Sequence, residues 1–116
     1  MNVTYSERSQ QLGEYRALLQ QATRRLEDIL GPSAALVNVQ WDRIEDARGR
    51  SLYRLTIKDF TGEASTDFAP EELQNPTHMH VRLYRLWGDL LQVRSNKQHE
   101  KVQAISGAIA VGHEVD

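Results

Sequence analysis

The chain has 116 residues, of which 40% are hydrophobic and 26% are charged, and its formal net charge is −2. These values are typical of one globular domain, and the small net charge gives no global reason to bind nucleic acid or an anionic membrane. The lack of cysteine excludes disulfides, thiolate metal ligands and cysteine nucleophiles. No run approaches 18 apolar residues and the first residues lack a signal-peptide core, so we expect a cytoplasmic protein without a membrane partner.

The first predicted element is a long amphipathic helix that begins at Thr4. Residues 4–7, Thr-Tyr-Ser-Glu, fit a capping box, in which the hydroxyl and the carboxylate bind free amides of the first turn. Apolar residues then recur at steps of three and four from Leu12 to Ile29, which turns one side toward a core. Gly31-Pro32 ends the helix, because glycine adopts the left-handed cap and proline cannot continue.

Three segments of alternating polarity follow, at residues 37–42, 53–58 and 64–68. Each is apolar on one side only, which predicts antiparallel strands with one face in water. A charged turn at residues 45–50 joins the first two, and residues 59–62 are short enough for a hairpin. The simplest topology is a three-stranded meander.

A second long helix is predicted after Asn75-Pro76, which offers an N-cap followed by proline at the first helical position. One apolar row runs from Met79 to Val93. A second row widens the apolar face, and its members are Tyr84, Trp87 and Leu91.

Gly88 lies inside this helix, where glycine costs about 1 kcal/mol relative to alanine. Either it lets another helix approach closely, which the sequence favours, or the helix breaks there and Asp89 caps a new one. Residues 104–116 are mixed in character: residues 104–112 are small and apolar but contain two glycines. We expect a single domain over residues 1–103 and a tail over residues 104–116 that is flexible or pairs with a sheet edge.

These elements predict an α+β fold of the form helix–three-stranded antiparallel meander–helix, with both helices packed on one sheet face. That arrangement buries all three apolar faces at once. The predicted core consists of Leu12, Leu19, Leu26, Val37, Val39, Trp41, Tyr53, Leu55, Ile57, Phe68, Leu83, Leu86 and Leu90.

His78 and His80 are the nearest approach to a metal site. Histidines two residues apart point about 200° apart on a helix, so they share one ion only if the segment is extended. Asp67 and the Glu71-Glu72 pair are the carboxylates that could complete a set of three or four ligands. We favour two solvent-exposed histidines over a metal site.

Basic residues on the polar sheet face and on the second helix could bind phosphate. The candidates are Arg48, Arg50, Arg54, Lys58, Arg82 and Arg85. The predicted element order resembles that of double-stranded-RNA-binding domains, a family in which lysines at the start of the last helix bind phosphates. Residues 75–80 hold no lysine or arginine, so nucleic-acid binding is only an alternative, and a wet sheet face with cross-strand ion pairs is favoured.

No nucleophile motif and no glycine-rich phosphate loop stands out in the sequence, so we expect no cofactor and favour a non-enzymatic role. The leading hypothesis is a protein-interaction or assembly module that binds itself or another protein through Tyr84, Trp87 and Leu91. The sequence leaves monomer and homodimer open. A metal-dependent enzyme or sensor at His78 and His80 is the second alternative, after nucleic-acid binding.

Overall fold

A computed structural model of the protein describes the backbone of residues 1–115 and the side chains of residues 1–99. Its helices and strands are β1 (Asn2–Tyr5), α1 (Glu7–Gln10), α2 (Gly13–Leu30), β2 (Asn38–Glu45), β3 (Ser51–Asp59), β4 (Gly62–Phe68) and α3 (Pro76–Val115). Short 3-10 segments follow α2 and precede α3, at Gly31–Leu36 and Glu72–Gln74. The fold is α+β, with helices packed on a sheet, as predicted. Among the described residues, no helix combines the length and the apolarity that crossing a membrane requires.

The sheet has four strands in the order β1-β2-β3-β4. β2, β3 and β4 form the predicted antiparallel meander, with Val39 opposite Ile57 and Leu55 opposite Thr66. The fourth strand, β1, pairs in parallel with β2 and places Val3 opposite Val39. The prediction of three strands was therefore short by one.

The predicted start of the first helix is wrong, because Thr4 belongs to β1. The residue that caps a helix here is Ser6, whose Oγ accepts a hydrogen bond from the Ser9 amide at 3.1 Å. Ser6 also donates to Asp42 Oδ1 at 2.6 Å, which ties the end of β1 to β2. Since the chain begins with a strand, its element order also departs from the helix-first order of double-stranded-RNA-binding domains.

One face of the sheet and the inner sides of α2 and α3 form the core. All but one of the residues predicted for it are buried. The exception is Leu12, which is 43% exposed because it precedes the first residue of α2 and so does not share the helix's inner side.

A buried hydroxyl joins three elements of this core. Thr23 Oγ1 on α2 accepts hydrogen bonds from Trp41 Nε1 at 2.9 Å and from the Tyr5 hydroxyl at 3.3 Å. It donates in turn to the Leu19 carbonyl at 2.8 Å. Every polar atom of the group has a partner, which is the condition for burying it without a large penalty.

The β3–β4 hairpin is held tightly against α3. The buried carboxylate of Asp59 accepts a hydrogen bond from Arg94 Nη2 at 2.7 Å. Gly62 has a φ of +154°, and a Cβ added there would lie 2.7 Å from Val93 Cγ1. These contacts fix the rotation of α3 about its own axis.

Gly88 does not break α3, so the alternative in which Asp89 caps a new helix is wrong. A Cβ added at Gly88 would meet nothing within 4 Å, so within the described part of the chain no other helix approaches it. Its conformation gives no reason for a glycine either, since φ is positive only at Gly31, Gly49 and Gly62 in this part of the chain. The side chains of residues 100–116 lie outside the described residues, and the role expected of the 104–116 tail stays a prediction.

Candidate self-association surface on the last helix

The side of α3 that faces away from the sheet carries an exposed apolar stripe. Val81 is 53% exposed, Tyr84 54% and Leu91 40%, and Gly88 is exposed between the last two. We call Val81, Tyr84, Gly88 and Leu91 the outer stripe. Its steps of three, four and three residues are those of a helix seam that meets another helix.

The position of the outer stripe follows from the burial of the opposite row. Met79, Leu83, Leu86 and Leu90 are buried against the sheet and α2. On a helix of 3.6 residues per turn, a residue two places from a buried one points about 200° away from it. Burying this inner row therefore turns Val81, Tyr84 and Gly88 toward solvent, while Leu91, one place from Leu90, lies about 100° away from it and is also exposed.

Two of the three residues predicted for an interface share this exposed face. Tyr84 and Leu91 belong to the outer stripe, whereas Trp87 is half-buried, packs against the core and lies at the border. The guanidinium of Arg94 lies 5.6 Å from the centroid of a Trp87 ring. The sequence prediction missed Val81 and Gly88, although steps of three and four from Tyr84 identify both.

A groove of about 220 Å³ between α2 and α3 borders the outer stripe. It is lined by Arg25, Asp28, Ile29, His80 and Tyr84. The rings of His80 and Tyr84 meet edge to face, with their centroids 4.9 Å apart. An apolar stripe with a polar rim is the usual composition of a protein interface.

Three of the six predicted phosphate-binding residues are held in ion pairs. Arg50 pairs with Asp46 at 3.0 Å and Arg54 with Asp67 at 2.8 Å. Hydrogen bonds from the Arg50 and Arg48 amides, together with the Arg50 side chain, hold the pKa of Asp46 below its ordinary value despite some desolvation. These pairs reduce the positive charge available to a phosphate.

Arg82 is the third paired residue. It contacts Glu72 Oε2 at 2.7 Å and donates to the Asp67 carbonyl at 2.7 Å. Its guanidinium carbon also lies 4.6 Å from the centroid of the Phe68 ring. Arg82 therefore serves to join α3 to β4.

The remaining candidates are exposed but lie on different sides of the domain. Lys58 is on the outer sheet face, next to Asn38 of β2, and Arg48 is in the β2–β3 turn. Arg85 is exposed on α3, on the side of the sheet that the helices cover. The fold does not bring the six into one patch, and nucleic-acid binding stays an untested alternative.

His78 and His80 lie in the first turns of α3 and have separate partners. His78 Nε2 is 2.9 Å from Glu72 Oε2, while His80 packs on Tyr84. Burial acts to raise the pKa of Glu72, but hydrogen bonds from the Ala69 amide and His78, with the charge of Arg82, lower it below the ordinary value. Within the described residues, no group of three or more His, Asp or Glu side chains is placed to hold a metal ion.

A scan against protein-family models, a search of curated proteins and a search of solved structures found no match to this chain. The surfaces of the molecule therefore provide the evidence for its function.

Proposed function

We propose that the protein is a non-enzymatic assembly module that self-associates through the outer stripe of α3. One observation carries the proposal: three exposed large side chains follow the spacing of a helix seam, on a face that the described chain leaves uncovered. Single exposed apolar residues are common on protein surfaces. A contiguous set with a polar rim is the kind of patch that marks an interaction site.

Gly88 favours a second copy of the chain as the partner. Glycine inside a helix costs about 1 kcal/mol relative to alanine, and nothing within the described chain requires one at this position. A glycine in a seam lets another backbone or a large side chain approach closely. A second copy supplies such side chains at the right spacing, namely its own Tyr84 and Leu91.

The outer stripe is short, so we expect a weak association. Stable interfaces bury about 800 Å² on each partner and use about 20–30 residues. The stripe and the lining of the α2–α3 groove comprise far fewer residues than that. We therefore expect a dimer in rapid exchange with monomer, with a dissociation constant on the order of 10 μM.

The test is sedimentation velocity over a concentration range that spans about 1–500 μM. Wild-type protein should move from monomer to dimer, whereas Leu91→Glu should remain monomeric. The matched control is Asn96→Glu, which places the same charge at an exposed site on another side of α3. Circular dichroism should show both variants folded, because exposed substitutions change stability by about 0.5 kcal/mol or less. A wild type that stays monomeric throughout, or a Leu91→Glu variant that still dimerises, would contradict the proposal.

Gly88→Ala provides a second test, in which folding and association change in opposite directions. The monomer should gain up to about 1 kcal/mol, because alanine favours helix and its Cβ enters open space. The dimer should weaken, because the same Cβ fills the gap in the seam. Asn96→Ala is the control for helix propensity away from the outer stripe. An unchanged dimerisation constant in Gly88→Ala would show that Gly88 does not contribute to the dimer seam.

A further inference from the structure

We infer that two copies of α3 meet in antiparallel orientation, with Leu91 of each copy against Gly88 of the other. This inference rests on the proposed self-association. It follows from the sizes of the residues along the seam, from the charges beside it and from the exposed tip of the β3–β4 hairpin.

The sizes along the seam fit an antiparallel pair and not a parallel one. A parallel twofold places each residue beside its own copy, so a layer of two glycines would follow a layer of two Tyr84 side chains. The antiparallel register that sets Leu91 beside the partner's Gly88 also sets Tyr84 beside the partner's Ser95. Tyr84 and Leu91 then each meet a small residue, and the contact is the same in both directions, as a twofold interface requires.

The residues that flank the seam also favour the antiparallel orientation. In a parallel pair, flanking residues five positions apart become neighbours, which brings His80 toward Arg85 and Arg94 toward His99. Both are contacts between basic residues. In the antiparallel register, Arg85 lies near the partner's Gln92, and Trp87 near the partner's Arg94. Arg94 already lies over a Trp87 ring within one chain, so a second such cation–π contact suits both residues.

Phe60 gives an observation that is independent of the stripe. It is the most exposed large apolar residue described, at 84%, and it occupies the tip of the β3–β4 hairpin. It lines a surface groove with Thr61, Lys97 and Gln98 of α3. The antiparallel register places Val81 of one copy beside the partner's Gln98, next to the partner's Phe60. Two apolar residues that the described part of the chain leaves exposed then cover each other at both ends of the seam.

The experiment uses the natural lack of cysteine, which makes an introduced thiol the only one in the chain. Val81→Cys and Gln98→Cys are oxidised in a glutathione buffer, each alone and then as an equal mixture, at concentrations where wild-type protein is dimeric. We expect a disulfide-linked dimer only in the mixture. In the antiparallel pair, identical positions 81 lie about 25 Å apart along the helix, whereas a disulfide needs Cα atoms within about 7 Å.

The outcomes separate the orientation from the self-association itself. Disulfides in each variant alone would show a parallel pair and overturn the inference, while the proposed function would stand. No disulfide in any sample of a protein that sedimentation shows to be dimeric would overturn this register. If the wild-type protein sediments as a monomer, both the antiparallel orientation and the self-association itself are overturned.

A double-mutant cycle gives a readout that does not depend on cysteine. Phe60→Ser and Val81→Ser should each weaken the dimer, and the double variant should weaken it by less than the product of the two fold-changes. Independent, multiplicative effects would show that the two residues do not meet and would overturn the inference.

Discussion

The inner and outer faces of α3 carry similar side chains but differ in what covers them. Leu83, Leu86 and Leu90 are buried against the sheet and α2, whereas Tyr84 and Leu91, one position away, are exposed. The apolar content of a helix therefore does not by itself identify the surface that the fold uses. That surface is set by the neighbours the chain provides, and an apolar row without such a neighbour is available to a partner.

The largest difference between the two faces should appear when one leucine is truncated on each. Leu86→Ala should lower the free energy of unfolding by about 2–5 kcal/mol, because it leaves a cavity in the core. Leu91→Ala should lower it by less than about 1 kcal/mol when the protein is mainly monomeric. Urea unfolding at about 1 μM protein measures both. Equal losses in the two variants would mean that the outer stripe contributes to the fold of the monomer as the inner row does.

The next largest effect on the free energy of unfolding should come from the ion pair between Arg94 and Asp59. Arg94→Met leaves Asp59 buried without its partner and should cost about 3 kcal/mol. The matched control, Arg85→Met, removes an exposed arginine on the other side of the same helix and should cost less than about 1 kcal/mol. Urea unfolding at pH 7 compares the two, and a similar loss in both would argue against a structural role for the pair.

The same pair predicts the direction of the pH dependence. Burial raises the pKa of Asp59, but hydrogen bonds from Arg94 and Thr61 and the charge of Arg94 more than offset it, so the folded pKa lies below the ordinary value. Ionised Asp59 thus contributes stability that is fully present above about pH 4 and is lost as the pH falls through the lower folded pKa. The unfolding free energy should fall less in acid for Arg94→Met than for wild type. An unchanged acid dependence would contradict the assignment to this pair.

Substitution of two glycines should also distinguish the inner face of α3 from the outer face. Gly62→Ala should destabilise the protein by about 1–3 kcal/mol, because its Cβ would collide with Val93 Cγ1 and its φ is positive. Val93 is β-branched and stiff within a helix, so it cannot easily turn aside. Gly88→Ala should instead stabilise the monomer. The midpoint temperatures of thermal unfolding should shift in opposite directions, down for Gly62→Ala and up for Gly88→Ala. A stabilised Gly62→Ala variant would show that the hairpin is not tightly docked on α3.

The smallest effect should be that of salt on association. Salt screens interactions between charges but not apolar contacts. Raising the salt concentration from about 0.1 M to about 1 M should therefore change the dimerisation constant by less than about threefold. Sedimentation at both concentrations measures this. Strong weakening in salt would show that charges, and not the outer stripe, drive the association.

Much of the fold could be predicted from local periodicity, and the errors have identifiable causes. The alternation in residues 37–42 and 53–58 marks strands because one side of each is buried. β1 was missed because Thr4 and Glu7 imitate a capping box, and because its partner strand lies 36 residues away along the chain. Leu12 was misplaced because it continues the spacing of the helix without belonging to it.

Less of the candidate site could be predicted. The sequence identified Tyr84 and Leu91 as surplus apolar residues, but Trp87 has the same spacing and is half-buried. Only the rotation of α3, fixed by distant contacts such as that between Asp59 and Arg94, decides which residues remain outside. Phe60 gave no signal, because its relation to α3 depends on how the hairpin docks.

The parallel pairing of β1 also has a consequence for the order in which the domain assembles. The three meander strands are joined by short turns, whereas β1 reaches β2 only after a long loop has closed, at a larger cost in chain entropy. The groups that secure it beyond the strand pairing include Ser6 bonded to Asp42, the Tyr5 hydroxyl on Thr23 and the Gln10 side chain on the Tyr5 carbonyl. In hydrogen exchange, the amides of β1 should thus open at lower free energy than those of β3, which is paired on both sides. The opening of β1 would bare the edge of β2 while the meander stays intact.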